Sequence, residues 1–354
     1  MSKIVISGYY GYNNAGDELI LKSMVDDLRA LSPNIEITVL SVKPCETSQK
    51  YSVKSVNRFN LFSIISELLK CKMLVSGAGG LFQDTTASLS LWYYLTIITL
   101  AKILNKKVFI YAVGIGEVKR LLNIFFIKNC FNMVDLISVR TEYDKRILES
   151  FMVVKPITVT ADPVFGLEMK IFKKKISENK KKIGIILRKT KYWKKDIEIF
   201  SKLSKTLIEK LNAEIVLIPF QKSADLELLE VIKKRADPKI SLIVWENIED
   251  ILRVYSELDF IVSMRLHGLI LAIKYNIPFV PISRYSKLTN LMHTIGEKDF
   301  LHQYDELTAE NIYTQITNKM SVNNEILSKN FDKIKYLEIE SKKTAKLCIS
   351  LLDN

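Results

Sequence analysis

Two basic side chains, Arg265 and His267, stand in "MRLHGLILA" (264–272), just after an apolar β-rich run and just before a helix-forming one. A helix begins with free amide groups and the positive end of its dipole, so a cation in the first turn costs about 0.3–1 kcal/mol. Stability alone does not choose these residues there. The same free amides make an anion site, and a bound phosphate or carboxylate reverses the sign of the effect for both cations. The spacing therefore supports binding of a small anion, with an imidazole placed to give or take a proton. For His267 the structural alternative is a packed, hydrogen-bonded core histidine, and the neighbouring Arg265 argues against it.

Further cations close other apolar runs. Arg140 ends "LISVR" (136–140), Arg188 ends "KIGIILR" (182–188), and "PFVPISRYSKLTNLM" carries Arg284 and Lys287. An arginine at a strand end is often only a surface residue, and a lysine in such a loop is often solvated. Guanidinium forks match carboxylate and phosphate oxygens in a bidentate way, so the set again implies an anionic ligand. Asn14, Asp17 and Asp84 lie in or just beyond the glycine-bearing turns "GYYGYNNAGDELIL" and "GAGGLFQD". They could hold sugar hydroxyls, or cap helices, which Asn and Asp do readily. A third glycine turn, "VGIGE", follows the run at 107–112. None has the G-x-G-x-x-G spacing of a dinucleotide site.

The elements that must position these groups have an α/β pattern. Short β-rich runs, most followed by a turn and an amphipathic helix, occur at 3–7, 35–40, 72–76, 107–112, 136–140 and 157–161 in the first half. In the second half they occur at 182–187, 214–219, 241–245, 259–263 and 278–282. The expected fold is two Rossmann-like domains facing a cleft, residues 1–165 and 182–354, the latter with a C-terminal helix. A lysine-rich linker is expected at 166–181. Open α/β sheets bind ligands at the carboxyl ends of their strands, where the polar groups above fall.

The 354-residue chain has 48% hydrophobic and 26% charged residues, which describes a folded protein. Its cysteines, Cys45, Cys71, Cys130 and Cys348, are scattered without zinc spacing and read as free thiols, and no metal site is expected. The start, "MSKIVISGYY", lacks the apolar stretch of a signal peptide, so a cytoplasmic protein is expected. The net charge of +13 is concentrated at Lys170, Lys173, Lys174, Lys175 and Lys180–Lys182, and at Arg188–Lys195. Such runs are usually solvated, with anionic lipid as the functional alternative; no nucleic-acid motif accompanies them. Residues 85–101 carry no charge and suggest a buried or interfacial helix rather than a membrane span.

In its ordered motifs, "SGYYGYNNAGDELIL", "VSGAGGLFQD", "YAVGIG", "ISVRTEYDKRIL", "TADPVF", "IPFQKSADLELL", "SMRLHGLILA" and "ISRYSKLTNLM", the chain resembles the polysaccharide pyruvyl transferases of the CsaB type. The resemblance implies a GT-B-like fold and transfer of a pyruvyl group from phosphoenolpyruvate to two sugar hydroxyls, forming a cyclic ketal. It implies that Arg140, Arg265, His267 and Lys287 bind the donor, to which Arg188 is added from its position, with His267 and Arg265 catalytic. Asn14, Asp17, Asp84 and Arg284 are expected to face the acceptor. No cofactor is implied beyond phosphoenolpyruvate as donor substrate. The expected partner is a cell-wall or exopolysaccharide glycan, often lipid-linked at the inner membrane face, with peripheral membrane contact through the basic runs and residues 85–101. Departures such as "GAGGLFQD" and "ISRYSK" bear on acceptor choice. Three rivals remain: a GT-B glycosyltransferase using a nucleotide sugar, a non-catalytic binding subunit of envelope assembly and, on charge alone, a nucleic-acid binder.

Overall fold

The computed structural model describes residues 2–84, 88–169, 172, 180–282, 286–297, 307–321 and 330–353. The chain divides into two compact units: Met1–Tyr12, Asp17–Leu167 and Lys335–Asn354 form the first, and Asn13–Gly16 with Glu168–Ile334 form the second.

In the first unit the strands are β1 (Lys3–Tyr10), β2 (Glu36–Ser41), β3 (Lys54–Asn57), β4 (Met73–Ser76), β5 (Gly79–Phe82), β6 (Lys107–Ile115), β7 (Leu136–Val139) and β8 (Ile157–Val159). The helices are α1 (Ala15–Leu31), α2 (Pro44–Tyr51), α3 (Leu61–Lys70), α4 (Ser88–Ile103), α5 (Leu121–Met133) and α6 (Glu142–Ser150). The sheet runs β3-β2-β1-β4-β6-β7-β8, with β5 also paired to β6, and its pairings are parallel. Central strands covered on both faces must be apolar throughout, and β4, "MLVS", is buried at every position. Ile64 and Leu68 of α3, Leu91 and Ile98 of α4, Ile127 and Phe131 of α5 and Leu148 of α6 share one core with Leu74, Val108 and Ile137. These helices therefore cover the same face, as right-handed crossovers advancing in one direction require.

Glu67 of α3 is buried in this unit and accepts from Lys3 Nζ and Lys54 Nζ, both at 2.6 Å. Burial acts to raise its carboxyl, but hydrogen bonds and charge from the two ammonium groups outweigh it and hold the group at about 2. A carboxyl depressed in the folded state gives stability that is present above its unfolded value and lost as pH falls toward the folded one. Glu67→Gln is thus expected to cost about 3 kcal/mol at neutral pH, and the difference from wild type should shrink between about pH 4.5 and pH 2. Urea unfolding across that range checks it.

In the second unit, β9 (Lys182–Ile186), β10 (Glu214–Leu217), β11 (Ser241–Leu242), β12 (Phe260–Ser263) and β13 (Phe279–Pro281) form a parallel sheet in the order β11-β10-β9-β12-β13. Its helices are α7 (Trp193–Leu211), α8 (Lys222–Ala236), α9 (Ile248–Glu257), α10 (Leu266–Lys274), α11 (Ser286–Ile295) and α12 (Ala309–Ser321). Ile183, Ile185, Phe200, Leu203, Leu229 and Val262 belong to its core.

Every run read as a strand contains one, and the structure adds β3 and β5. The last helix, α13 (Phe331–Asp353), departs from the expectation that 182–354 is one domain, because residues 335–354 belong to the first unit. Leu337, Ala345, Cys348 and Leu352 are buried, and Lys107 Nζ donates to the Leu351 carbonyl at 3.0 Å. Amphipathic spacing shows that a helix has a face to bury, not which core receives it. Within the expected linker, Gly166 and Leu167 are buried in the first unit; just after it, Lys182 opens β9 and donates to Glu257 at 2.9 Å. Lys170, Lys173, Lys174 and Lys175 lie outside the described residues. Among the described residues no helix is long and apolar enough to cross a membrane.

Candidate functional site

The strand order of the second unit gathers its cations. β9, β12 and β13 are neighbours, and adjacent strands lie about 4.8 Å apart. Arg188 follows β9, Arg265 and His267 follow β12, and Lys287 follows β13 as the second residue of α11. Backbone bonds carry the register to this edge: Met264 N donates to Ile186 O at 2.8 Å and Ile282 N to Ser263 O at 2.9 Å. Four expected donor contacts thus lie at one carboxyl edge.

Arg265 is the N-cap of α10, in an extended conformation, and its side chain makes no capping bond. The guanidinium turns instead to Asp225 of α8, with Nη2 at 2.6 Å from both carboxylate oxygens. Asp225 is fully buried and the Arg265 side chain is 16% exposed. Asp225 also accepts from Gln221 N at 2.8 Å and Lys189 N at 3.4 Å, so one carboxylate ties the arginine to the start of α8 and the segment after β9. Arg265 Nε is buried with no hydrogen-bond partner among the described residues. Asp225 fixes the fork and leaves donor capacity for a ligand oxygen. Gly268 is needed here because a Cβ would lie 2.6 Å from Ser263 Oγ, the hydroxyl that accepts from Arg265 N at 3.0 Å.

His267 is the second residue of α10 and is half-buried. Asn13–Gly16 belongs to the same unit: Ala15 N donates to Phe220 O at 2.7 Å, and Asn14 bridges Gln221. Gly16 lies against the imidazole, where a Cβ would come within 2.2 Å of Nδ1. The ring occupies space that only glycine leaves. Gly16→Ala is expected to displace it, and a crystal structure of the variant showing the ring unmoved would refute that reading. Asn14 Oδ1 accepts from Gly16 N at 3.0 Å, so it acts as a local cap, the alternative to the expected acceptor contact.

The remaining expected site residues divide. Arg140 belongs to the first unit, where it is buried, with Nη1 at 2.8 Å from Asp162 Oδ2. Asp84 accepts from Lys119 N at 3.0 Å, Arg120 N at 2.9 Å and Asn123 Nδ2 at 3.0 Å. Burial acts to raise its carboxyl, but those bonds hold it below the usual carboxylate range. These bonds tie Asp84 to the segment that leads into α5, the structural alternative to the expected acceptor contact. Asp17 lies on α1 near aromatic hydroxyls: burial, and then its carboxylate, push the Tyr10 hydroxyl well up. Arg284 lies outside the described residues.

Sequence reasoning missed Arg58. It is buried, donates to Gly8 O at 2.9 Å, and lies over the Tyr93 ring at 4.1 Å and the Tyr12 ring at 5.4 Å. Tyr12 stacks on Tyr9 with centroids 4.0 Å apart. The signal was the tyrosine density of "GYYGY" and "LWYYL", which composition alone does not tie to an arginine between them. The cluster gathers rings and a guanidinium where the chain leaves β1 and β3.

A family model described as polysaccharide pyruvyl transferase matches residues 14–286. No curated protein matches the sequence. Among solved structures, the fold is similar to the Staphylococcus aureus MnaA–UDP co-structure, at 15% identity, covering 98% of this chain and 92% of that one, with a TM-score of 0.66. It is also similar to Anabaena HepE in complex with UDP and glucose, at 11% identity, full coverage of both chains and a TM-score of 0.66. Sucrose-phosphate synthase from Thermosynechococcus elongatus gives 10% identity, full coverage of both chains and a TM-score of 0.64. At these identities the likeness shows the fold: α/β, two Rossmann-like units, GT-B-like.

Proposed function

The chain belongs to the polysaccharide pyruvyl transferase family, and on that premise we propose that it moves a pyruvyl group from phosphoenolpyruvate to two hydroxyls of a glycan sugar in cell-envelope polysaccharide biosynthesis. The observation that carries the reading is the adjacency of β9, β12 and β13, which puts Arg188, Arg265, His267 and Lys287 at one strand edge beside the start of α10. Phosphoenolpyruvate carries a carboxylate and a phosphate on neighbouring atoms and suits several cationic groups converging on a small volume.

In the proposed reaction His267 delivers a proton to the methylene carbon of phosphoenolpyruvate, and a sugar hydroxyl adds to the resulting cationic carbon. The proton lost by that hydroxyl returns to His267. The C–O bond to phosphate then breaks, the leaving group being drawn by Arg265, Arg188 and Lys287, while the second hydroxyl closes the ketal and gives its proton to the departing phosphate. Products are the ketal and inorganic phosphate. Arg140 is retained as a donor contact on the family resemblance alone. On the acceptor side we assign Asp17 to a hydroxyl and the Tyr9–Tyr12 stack to a sugar face.

Phosphate release tests the reaction: it should require both phosphoenolpyruvate and a glycan acceptor, and should come with a ketal-bearing product by mass spectrometry. Release of a nucleoside diphosphate from a nucleotide sugar, without ketal formation, would move the assignment to glycosyl transfer.

A further inference from the structure

α3, α4 and α5 cover one face of the first sheet and connect parallel strands, so their N-terminal turns all emerge at its carboxyl edge. Each of those turns carries an apolar side chain standing in solvent: Phe62 is 88% exposed, Leu89 84% and Leu121 82%. Ring contacts link the three helix starts to one another. Phe59 meets Tyr93 with centroids 6.3 Å apart, Trp92 meets Phe126 at 4.5 Å, and Phe126 meets Phe125 at 5.5 Å. Soluble surfaces scatter such residues singly, so their gathering on three neighbouring helix starts, with Phe59, Leu122 and Phe125 also exposed, marks an interaction.

The charges beside the patch narrow its occupant. Neither α4, "SLSLWYYLTIITLAKI", nor α5, "LLNIFFIKNCFNM", contains a carboxylate. Lys119 and Arg120 are exposed just before α5, and Lys128 lies on it, with Glu117 paired to Lys119 at 3.1 Å. A second copy would bring like charge against like charge in a two-fold contact. An anionic bilayer surface accepts protruding Phe and Leu, half-buried Trp and Tyr, and basic neighbours together.

We infer that this edge of the first unit, through Phe62, Leu89 and Leu121 with Lys119 and Arg120, docks on an anionic lipid surface. The Tyr93 ring contacts both Phe59 of the patch and Arg58 of the aromatic cluster, so a lipid-carried acceptor would arrive beside the rings assigned to it. In that last respect the inference rests on the proposed function; the docking itself does not. Of the expected membrane contacts it keeps residues 85–101, through the start of α4, and puts the starts of α3 and α5 in place of the lysine runs.

Co-sedimentation with vesicles of mixed phosphatidylcholine and phosphatidylglycerol at physiological salt tests it. The wild-type chain should bind, and Phe62→Ser/Leu89→Ser/Leu121→Ser should lower the binding constant about tenfold or more, with circular dichroism unchanged. Lys119→Glu/Arg120→Glu should also weaken binding, and more so at low salt. Absence of wild-type binding overturns the inference. So does undiminished binding of the triple variant, including the case where Lys180→Glu/Lys181→Glu abolishes it instead. A wild-type dimer that ignores vesicles and becomes monomeric in the triple variant would assign the face to a second copy. Phosphate release by the triple variant with a soluble acceptor should equal that of wild type, so failed docking and failed pyruvyl transfer are read separately.

Discussion

His267→Ala is expected to bind phosphoenolpyruvate with near wild-type affinity and to turn it over about 10²–10⁴-fold more slowly, the range a positioned general acid contributes. The split follows from the geometry. The imidazole fills the space left by Gly16, at the second position of α10, while the ion-paired fork belongs to Arg265. Removing the ring leaves the helix amides and the other cations in place. Single-turnover phosphate release gives the chemical step and calorimetry gives affinity; unchanged turnover would remove His267 from the mechanism.

Arg265→Ala should fail differently. Asp225 is fully buried, and removing its guanidinium partner leaves an uncompensated buried carboxylate, a change that costs about 3–5 kcal/mol. Phosphoenolpyruvate affinity should also fall about 10–100-fold, as expected when a charge-assisted contact is lost. The double variant Arg265→Ala/Asp225→Ala separates the effects: much of the stability should return, because the stranded charge is gone, while binding should stay weak. Thermal unfolding and titration of the two variants check this. Recovery of binding in the double variant would show that Arg265 acts only as the partner of Asp225.

The parallel sheets were legible because buried strands are apolar at successive positions, as in "KIVIS" and "EIVLIP". β3, "KSVN", escaped because it lies at the sheet edge and is exposed at both ends. β5, "GGLF", escaped because its glycines read as a turn. Arg188, Arg265, His267 and Lys287 were legible because strand ends can be located from sequence, and a parallel α/β sheet collects its ligands at those ends. Their neighbours were not. Asp225 lies forty residues from the arginine it holds, and Arg58 takes its meaning from rings on other segments. Asp84 had both a cap and a substrate contact open to it, and its bonds to Lys119 N and Arg120 N, on a segment thirty-five residues away, could not be read from either motif.

The measurement closest to the central claim is calorimetric titration of the intact chain with phosphoenolpyruvate and, separately, with a panel of UDP-sugars, repeated on Arg265→Ala. The account predicts binding of phosphoenolpyruvate, weakened in the variant, and none of comparable strength from the UDP-sugars. Binding of a UDP-sugar with no response to phosphoenolpyruvate would contradict it and make the cationic edge after β9, β12 and β13 a diphosphate site.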